Sequence, residues 1–256
     1  MTASKTFLIL FAVALSCATL ASPVTAADFD QSHSLLDRVL KQYVKNARVD
    51  YAALQAQPQD LNRYLDQVAT VGKTEFKQWS GPQQIAFLSN AYNASTLRLI
   101  IENYPLKSIK DIGGWFSGPW DQPVVKLFGE TITLNTLEHK VLRVDYAEPR
   151  IHFALVCAAI GCPPLRGEAF VGTRLEEQLV DQAKQFLSES TKNRVDAANR
   201  TVYLSPIFKW YGGDFEKKSG SVLAALKPYW PGKAVTPDGF KISYTDYDWS
   251  LNEQAK

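Results

Sequence analysis

Residues Pro82 to Asn103 read PQQIAFLSNAYNASTLRLIIEN. Pro82 suits a first helical turn, and Tyr104, which precedes Pro105, suits an end. At 100° per residue, Ile85, Ala86, Phe87, Leu88, Ala91, Tyr92, Ala94, Leu97, Leu99, Ile100 and Ile101 surround the axis instead of forming one stripe. A helix that is apolar all round is buried, so this segment is expected to be the centre of the domain. Asn90 and Asn93 are three residues apart and share one face of it. Buried amides must be hydrogen-bonded, either tying the helix to neighbouring loops or orienting a ligand.

Working outward, period 3.6 predicts helices over Phe29–Val44 and Asp60–Val68, with a short apolar/polar alternation at Arg48–Tyr51 between them. After the central helix comes a Gly-, Pro- and Trp-rich loop from Gly113 to Pro123. Val124–Phe128 and Thr131–Leu134 flank Gly129-Glu130 as a β-hairpin. A short helix is expected from Asn135 to Arg143. Arg150–Cys157 (RIHFALVC) is expected to be a strand, from its β propensity and nearly continuous apolarity. Gly161-Cys162-Pro163-Pro164 ends it in a rigid loop. A helix over Leu175–Leu187, a hairpin over Asn193–Leu204, a helix over Ser219–Tyr229 and a strand at Lys241–Tyr244 complete the chain. The alternation is irregular, which predicts a single α+β domain: a buried helix packed on an antiparallel sheet, with surrounding helices. A papain- or transglutaminase-like layout is the alternative version. It is weakened because the central helix offers Asn90 and Asn93 where such enzymes place a cysteine.

The N-terminus reads as a secretory signal over residues 1–26. Lys5 precedes an apolar run from Phe7 to Leu15, and Val24-Thr25-Ala26 fits the small-x-small cleavage rule. The run is too short to span a bilayer. Cys17 after Ala14-Leu15-Ser16 offers a weaker alternative, lipid attachment. The leader holds one of the 28 Lys+Arg and none of the 26 Asp+Glu, so its removal leaves a net charge of +1. That balance argues against nucleic-acid or polybasic membrane partners. Residues 27–256 are expected to form one globular domain with no membrane span, in the periplasm or outside the cell.

Chemistry concentrates between residues 138 and 162. Glu138 falls on the apolar face set by Leu134, Leu137, Val141 and Leu142, and His139 falls at its margin. A buried carboxylate needs a partner, for which Arg150 and His152 are the nearby candidates. Cys157 and Cys162 are the two cysteines outside the leader. Three readings stay open: a disulfide, two inert buried thiols, or a reactive thiol activated by His152 or His139. The Cys-x4-Cys spacing with His152 lacks a second regular pair, so neither a metal nor another cofactor is expected.

Together these segments resemble the family called domain of unknown function 547, in its bacterial exported branch. The resemblance rests on FLSNAYNA at Phe87–Ala94, Leu137-Glu138-His139 with Leu142-Arg143, RIHFALVC at Arg150–Cys157 and Cys162-Pro163-Pro164-Leu165. It continues through Ile207-Phe208-Lys209-Trp210-Tyr211, Asp214-Phe215 and Tyr247-Asp248-Trp249-Ser250-Leu251-Asn252. It spans roughly residues 50 to 252. It implies an exported globular domain and stresses Asn90, Asn93, Glu138, His139, His152, Cys157, Cys162, Lys209, Trp210 and Asp214.

No motif here specifies a reaction, so the sequence does not commit the chain to being an enzyme. The first expectation is a cell-envelope ligand-binding or scaffold domain for a small molecule or envelope peptide, with Asn90, Asn93, Lys209, Trp210 and Asp214 as binding candidates. The second is a thiol hydrolase or transferase: Cys157 as nucleophile, His152 or His139 as base, Glu138 or Asp214 as orienting group. The third is a thiol–disulfide protein using Cys157 and Cys162. In all three, Glu138 is expected within about 2.6–3.2 Å of a histidine.

Overall fold

The computed structural model describes residues 28–114, 117–231 and 239–255. The expected leader, with the expected cleavage site and Cys17, lies outside these residues, as do two positions of the Gly113–Pro123 loop.

The fold is α+β, in a single domain with small sheets around one long helix. The N-terminal helices are α1 (Ser34–Tyr43), α2 (Tyr51–Ala56), α3 (Gln59–Thr70) and α4 (Lys73–Gln78). The Arg48–Tyr51 alternation resolves into β2 (Arg48–Val49), which pairs with β1 (Val44–Lys45), and the start of α2. The central helix α5 spans Gly81–Asn103. Ser80 caps it: Gln83 N–H reaches the Ser80 hydroxyl, and Ser80 N–H donates to Gln83 Oε1 at 2.9 Å. Every residue from Ile85 to Leu97 is buried, so the apolar wheel was a correct reading of burial. Among the described residues no helix is long and apolar enough to cross a membrane.

The predicted hairpin is present as β3 (Pro123–Leu127) and β4 (Glu130–Thr133), antiparallel. Its turn residues Phe128 and Gly129 have φ of 55° and 83°, the two positive angles of a type I′ turn. A continuous helix, α6 (residues 134–145), follows, and its middle turn Leu137–Leu142 is a π-helix.

Residues 150–157 are not a strand. Ile151–Ala154 form one helical turn, α7, closed by Leu155 N–H to Ile151 O at 3.0 Å, and extended backbone follows. A short apolar run does not by itself distinguish strand from buried helix. Here the backbone groups that a sheet ladder would have satisfied are taken by a side chain. Asn93 Nδ2 donates to Ala154 O at 2.9 Å, and Val156 N–H donates to Asn93 Oδ1 at 3.0 Å.

Downstream lie α8 (Leu175–Ser188), the hairpin β5 (Arg194–Asp196) and β6 (Thr201–Leu204), then α9 (Ile207–Trp210), α10 (Gly212–Ser219) and α11 (Val222–Leu226). The terminal strand β7 (Lys241–Tyr244) joins β6 in parallel, so this three-stranded sheet is mixed where an antiparallel one was expected.

Buried apolar side chains form two clusters. The larger surrounds α5 with α1–α4 and the β3–β4 hairpin; the smaller joins Phe153, Phe186, Phe208, Phe215 and Val202. Tyr247 packs against both clusters. The C-terminal segment is laid across the loop after α7 by Gly161 N–H to Asp248 O and Ile160 N–H to Ser250 O, both 2.8 Å, and by Asn252 N–H to Ala158 O at 3.0 Å.

Candidate functional site

A cleft of about 280 Å³ opens between residues of these two clusters. Tyr92 of α5, Glu138 and His139 of α6, His152 of α7, the Cys157 and Cys162 loop, Trp210 and Tyr211, and Tyr247 with Trp249 of the C-terminal segment all line it. The carboxylate and the two histidines anticipated from sequence therefore share one site, and Trp210 borders it.

His152 is fixed first. Its side chain is buried, its ring stacks on Tyr211 with centroids 4.0 Å apart, and Nε2 lies 2.9 Å from Asp214 Oδ2. A carboxylate accepts, so Nε2 carries the proton and Nδ1 presents a lone pair. Nδ1 is 4.0 Å from Glu138 Oε1. That is longer than the hydrogen bond expected between Glu138 and a histidine, because a neutral ring already donating to Asp214 has no second proton to give. Burial pulls the His152 pKa below its ordinary value, against the opposing pull of Asp214 and Glu138. Burial thus favours the neutral ring.

Asp214 is anchored by Arg143, whose Nε and Nη2 donate to its two oxygens at 2.6 and 3.0 Å. Burial alone would raise the Asp214 pKa; the hydrogen bonds from Arg143 and His152 outweigh it and lower the value to about 2. Arg143 Nη1 also donates to His139 Nδ1 at 2.8 Å. A chain of contacts thus runs from His139 through Arg143 and Asp214 to His152.

Glu138, 6% exposed, is surrounded instead by tyrosines. The Tyr92 and Tyr211 side chains line the cleft beside it and feel its charge. Burial comes first, and the Glu138 charge second, in raising the pKa values of Tyr92, Tyr211 and Tyr247, so all three stay protonated donors. Arg150, the other partner expected for Glu138, pairs with Glu148 and Glu176.

Cys157 and Cys162 are joined as a disulfide, with their Cα atoms 6.3 Å apart. Of the three readings left open by the sequence, the structure adopts this one. The Tyr247 hydroxyl touches both sulfurs, at 3.3 and 3.2 Å. Gly161 makes that approach possible: a Cβ there would lie 2.8 Å from the Tyr247 ring.

The asparagines lie deeper. Asn90 Nδ2 donates to Phe170 O at 2.7 Å and its Oδ1 accepts from Phe170 N–H at 3.0 Å. Asn93 clamps residues 154 and 156 in the same way. Both amides are consumed by backbone and neither lines the cleft. Lys209 is exposed and outside it, with Nζ 6.0 Å from the Tyr244 ring centroid.

The sequence reading missed the tyrosines beside Glu138 and the role of Arg143. The visible signal was the polar tip that Tyr92 carries on the buried helix of Asn90 and Asn93. Trp120 and Trp249, whose rings sit 5.7 Å apart at the cleft wall, gave no signal of their proximity. Among the described residues no group of three His, Cys, Asp or Glu side chains is placed to hold a metal ion.

The fold and site define an α+β domain with an aromatic-walled acidic cleft. A family model described as "Protein of unknown function, DUF547" matches residues 76–187, and the chain resembles that family there. The match contains Asn90, Asn93, Glu138, His139, His152, Cys157 and Cys162; Lys209, Trp210, Asp214 and Tyr247 lie beyond it. No curated protein and no solved structure matches the chain.

Proposed function

We propose that the chain is an exported domain of the cell envelope that binds a small molecule, or one end of an envelope peptide, in the cleft over Glu138. One observation carries the reading: an open cleft of about 280 Å³ whose walls are aromatic and whose floor holds a buried carboxylate. Concave, mostly apolar sites with a few convergent polar groups are where small ligands bind. Export rests on the leader-like residues 1–26, and a Cys157–Cys162 disulfide fits an oxidising compartment.

The test is a screen of small fragments by protein-observed NMR on protein lacking residues 1–26. Binders should shift signals of Tyr92, Trp210 and Tyr247, and Trp210→Ala should weaken them. A screen in which no fragment moves those signals at millimolar concentration refutes the reading. Intact mass of exported protein tests the leader: the chain should begin at Ala27 or Asp28.

A second reading, thiol chemistry at Cys157, is favoured by the His152–Asp214 pair on the same cleft. It requires the disulfide to be reduced, because only a thiolate is nucleophilic. Alkylation of Cys157 that is faster than that of Cys162 after mild reduction, and slowed by His152→Gln, would support it; equal and slow rates would exclude it.

A further inference from the structure

We infer that the cleft selects a protonated organic amine, an inference that rests on the binding reading above and names its ligand class. Glu138 is the one acidic side chain among the described residues lining the cleft, and no Lys or Arg is among them. Arg143 feels the Glu138 carboxylate but gives its direct contacts to Asp214, in a two-point ion pair, and to His139. Among the described residues Glu138 has no Lys or Arg at ion-pair distance, and its nearest basic group is His152 Nδ1 at 4.0 Å. That nitrogen presents a lone pair, because the ring proton is on Nε2 toward Asp214. Two acceptors, one of them a carboxylate, therefore face the same space 4.0 Å apart. An ammonium supplies what is missing: N–H donors for Glu138 and His152, and a positive charge for a buried carboxylate. The aromatic walls give apolar contact to the body of a ligand whatever its head group. The Trp249 ring is already covered by Lys110, with Nζ 3.8 Å from the centroid, so the selection rests on Glu138 and His152. An anion would face Glu138 with no Lys or Arg among the lining residues. A neutral alcohol of the same shape has one proton to donate, so it could serve only one of the two acceptors and would bring no charge.

The test uses three probes with one ring and different heads: benzylammonium, benzyl alcohol and benzoate, titrated calorimetrically at pH 7 into the protein with its disulfide intact. Benzylammonium should bind about tenfold or more tightly than benzyl alcohol, and benzoate most weakly. Glu138→Gln, checked for folding by circular dichroism, should erase the preference, whereas Trp210→Ala should weaken the alcohol and the ammonium alike. Benzyl alcohol or benzoate binding as tightly as the ammonium overturns the ligand class while leaving the cleft a binding site. A preference that survives Glu138→Gln overturns it too. If none of the three binds, the inference fails, and the fragment screen decides separately whether the cleft binds anything.

Discussion

His152 Nε2 and Asp214 Oδ2 meet at 2.9 Å across 62 residues of sequence, and the contact sets the protonation of the cleft floor. Asp214 fixes the proton on Nε2, and Arg143 fixes Asp214. The neutral ring then offers its lone pair on the side of Glu138, 4.0 Å away.

Replacing Asp214 by Asn should cost about 1–2 kcal/mol in urea unfolding at pH 7, a value discounted for partial exposure of the Arg143 pair. The pH dependence carries the sharper test. A carboxyl whose pKa falls to about 2 on folding contributes stability above its unfolded value near 3.8, and loses it as pH drops toward 2. The gap between parent and variant should therefore narrow below about pH 4. A gap independent of pH would show that the ion pair is not its source.

Asn93→Ala should lower stability by about 2–4 kcal/mol, since Ala154 O and Val156 N–H each lose a buried partner. The damage should concentrate in the turn carrying His152, as faster amide exchange at Val156. Unchanged exchange there would mean that water or backbone replaces the amide at little cost.

The Cys157–Cys162 loop separates its cysteines by five residues, so by the chain-entropy estimate the disulfide contributes about 2 kcal/mol. The double variant Cys157→Ala, Cys162→Ala should unfold at correspondingly lower urea. Its tryptophan emission should also change, because Tyr247 loses both sulfur contacts while packed against Trp210 and Trp249. Identical emission spectra would show that the aromatic wall is held without the disulfide.

His33 lies far from the cleft in sequence and is 1% exposed, with Nδ1 2.9 Å from the Tyr64 hydroxyl. Burial lowers its pKa to about 4. The unfolded chain then takes up the proton first, so stability is intact above about 6.5 and declines as pH falls toward 4. From pH 7 to pH 5 the loss should be about 2 kcal/mol. His33→Asn, which tolerates the left-handed φ of 52° at this position, should flatten that slope. An equally steep slope in the variant would assign the acid sensitivity to another group.

How much was legible depended on whether the signal was local. The buried central helix followed from residues 85–101 alone, because an apolar circumference has no other stable use in water. The β3–β4 hairpin was announced by Gly129-Glu130 between two strand-like runs, although the turn itself falls one residue earlier, at Phe128-Gly129. The burial of Asn90 and Asn93, and their need for partners, followed from the helix that carries them. The identity of those partners did not, since Phe170 and Ala154 arrive from 80 and 61 residues away. The same distance explains the error at Arg150–Cys157. Its apolar run is compatible with a strand or a helical turn, and the choice was made by an asparagine on another element.

The site divides along the same line. The sequence by itself determined that Glu138, buried on an apolar face, must find donors, and that two cysteines five residues apart could close a loop. The tertiary structure decided that tyrosines from α5 and the 207–211 segment line the cleft beside Glu138, that Asp214 holds His152, and that Tyr247 covers the disulfide. Those choices depend on which distant segments pack together. Each side chain's chemistry states what it requires; only the packing of two apolar clusters against one another states which residue meets the requirement.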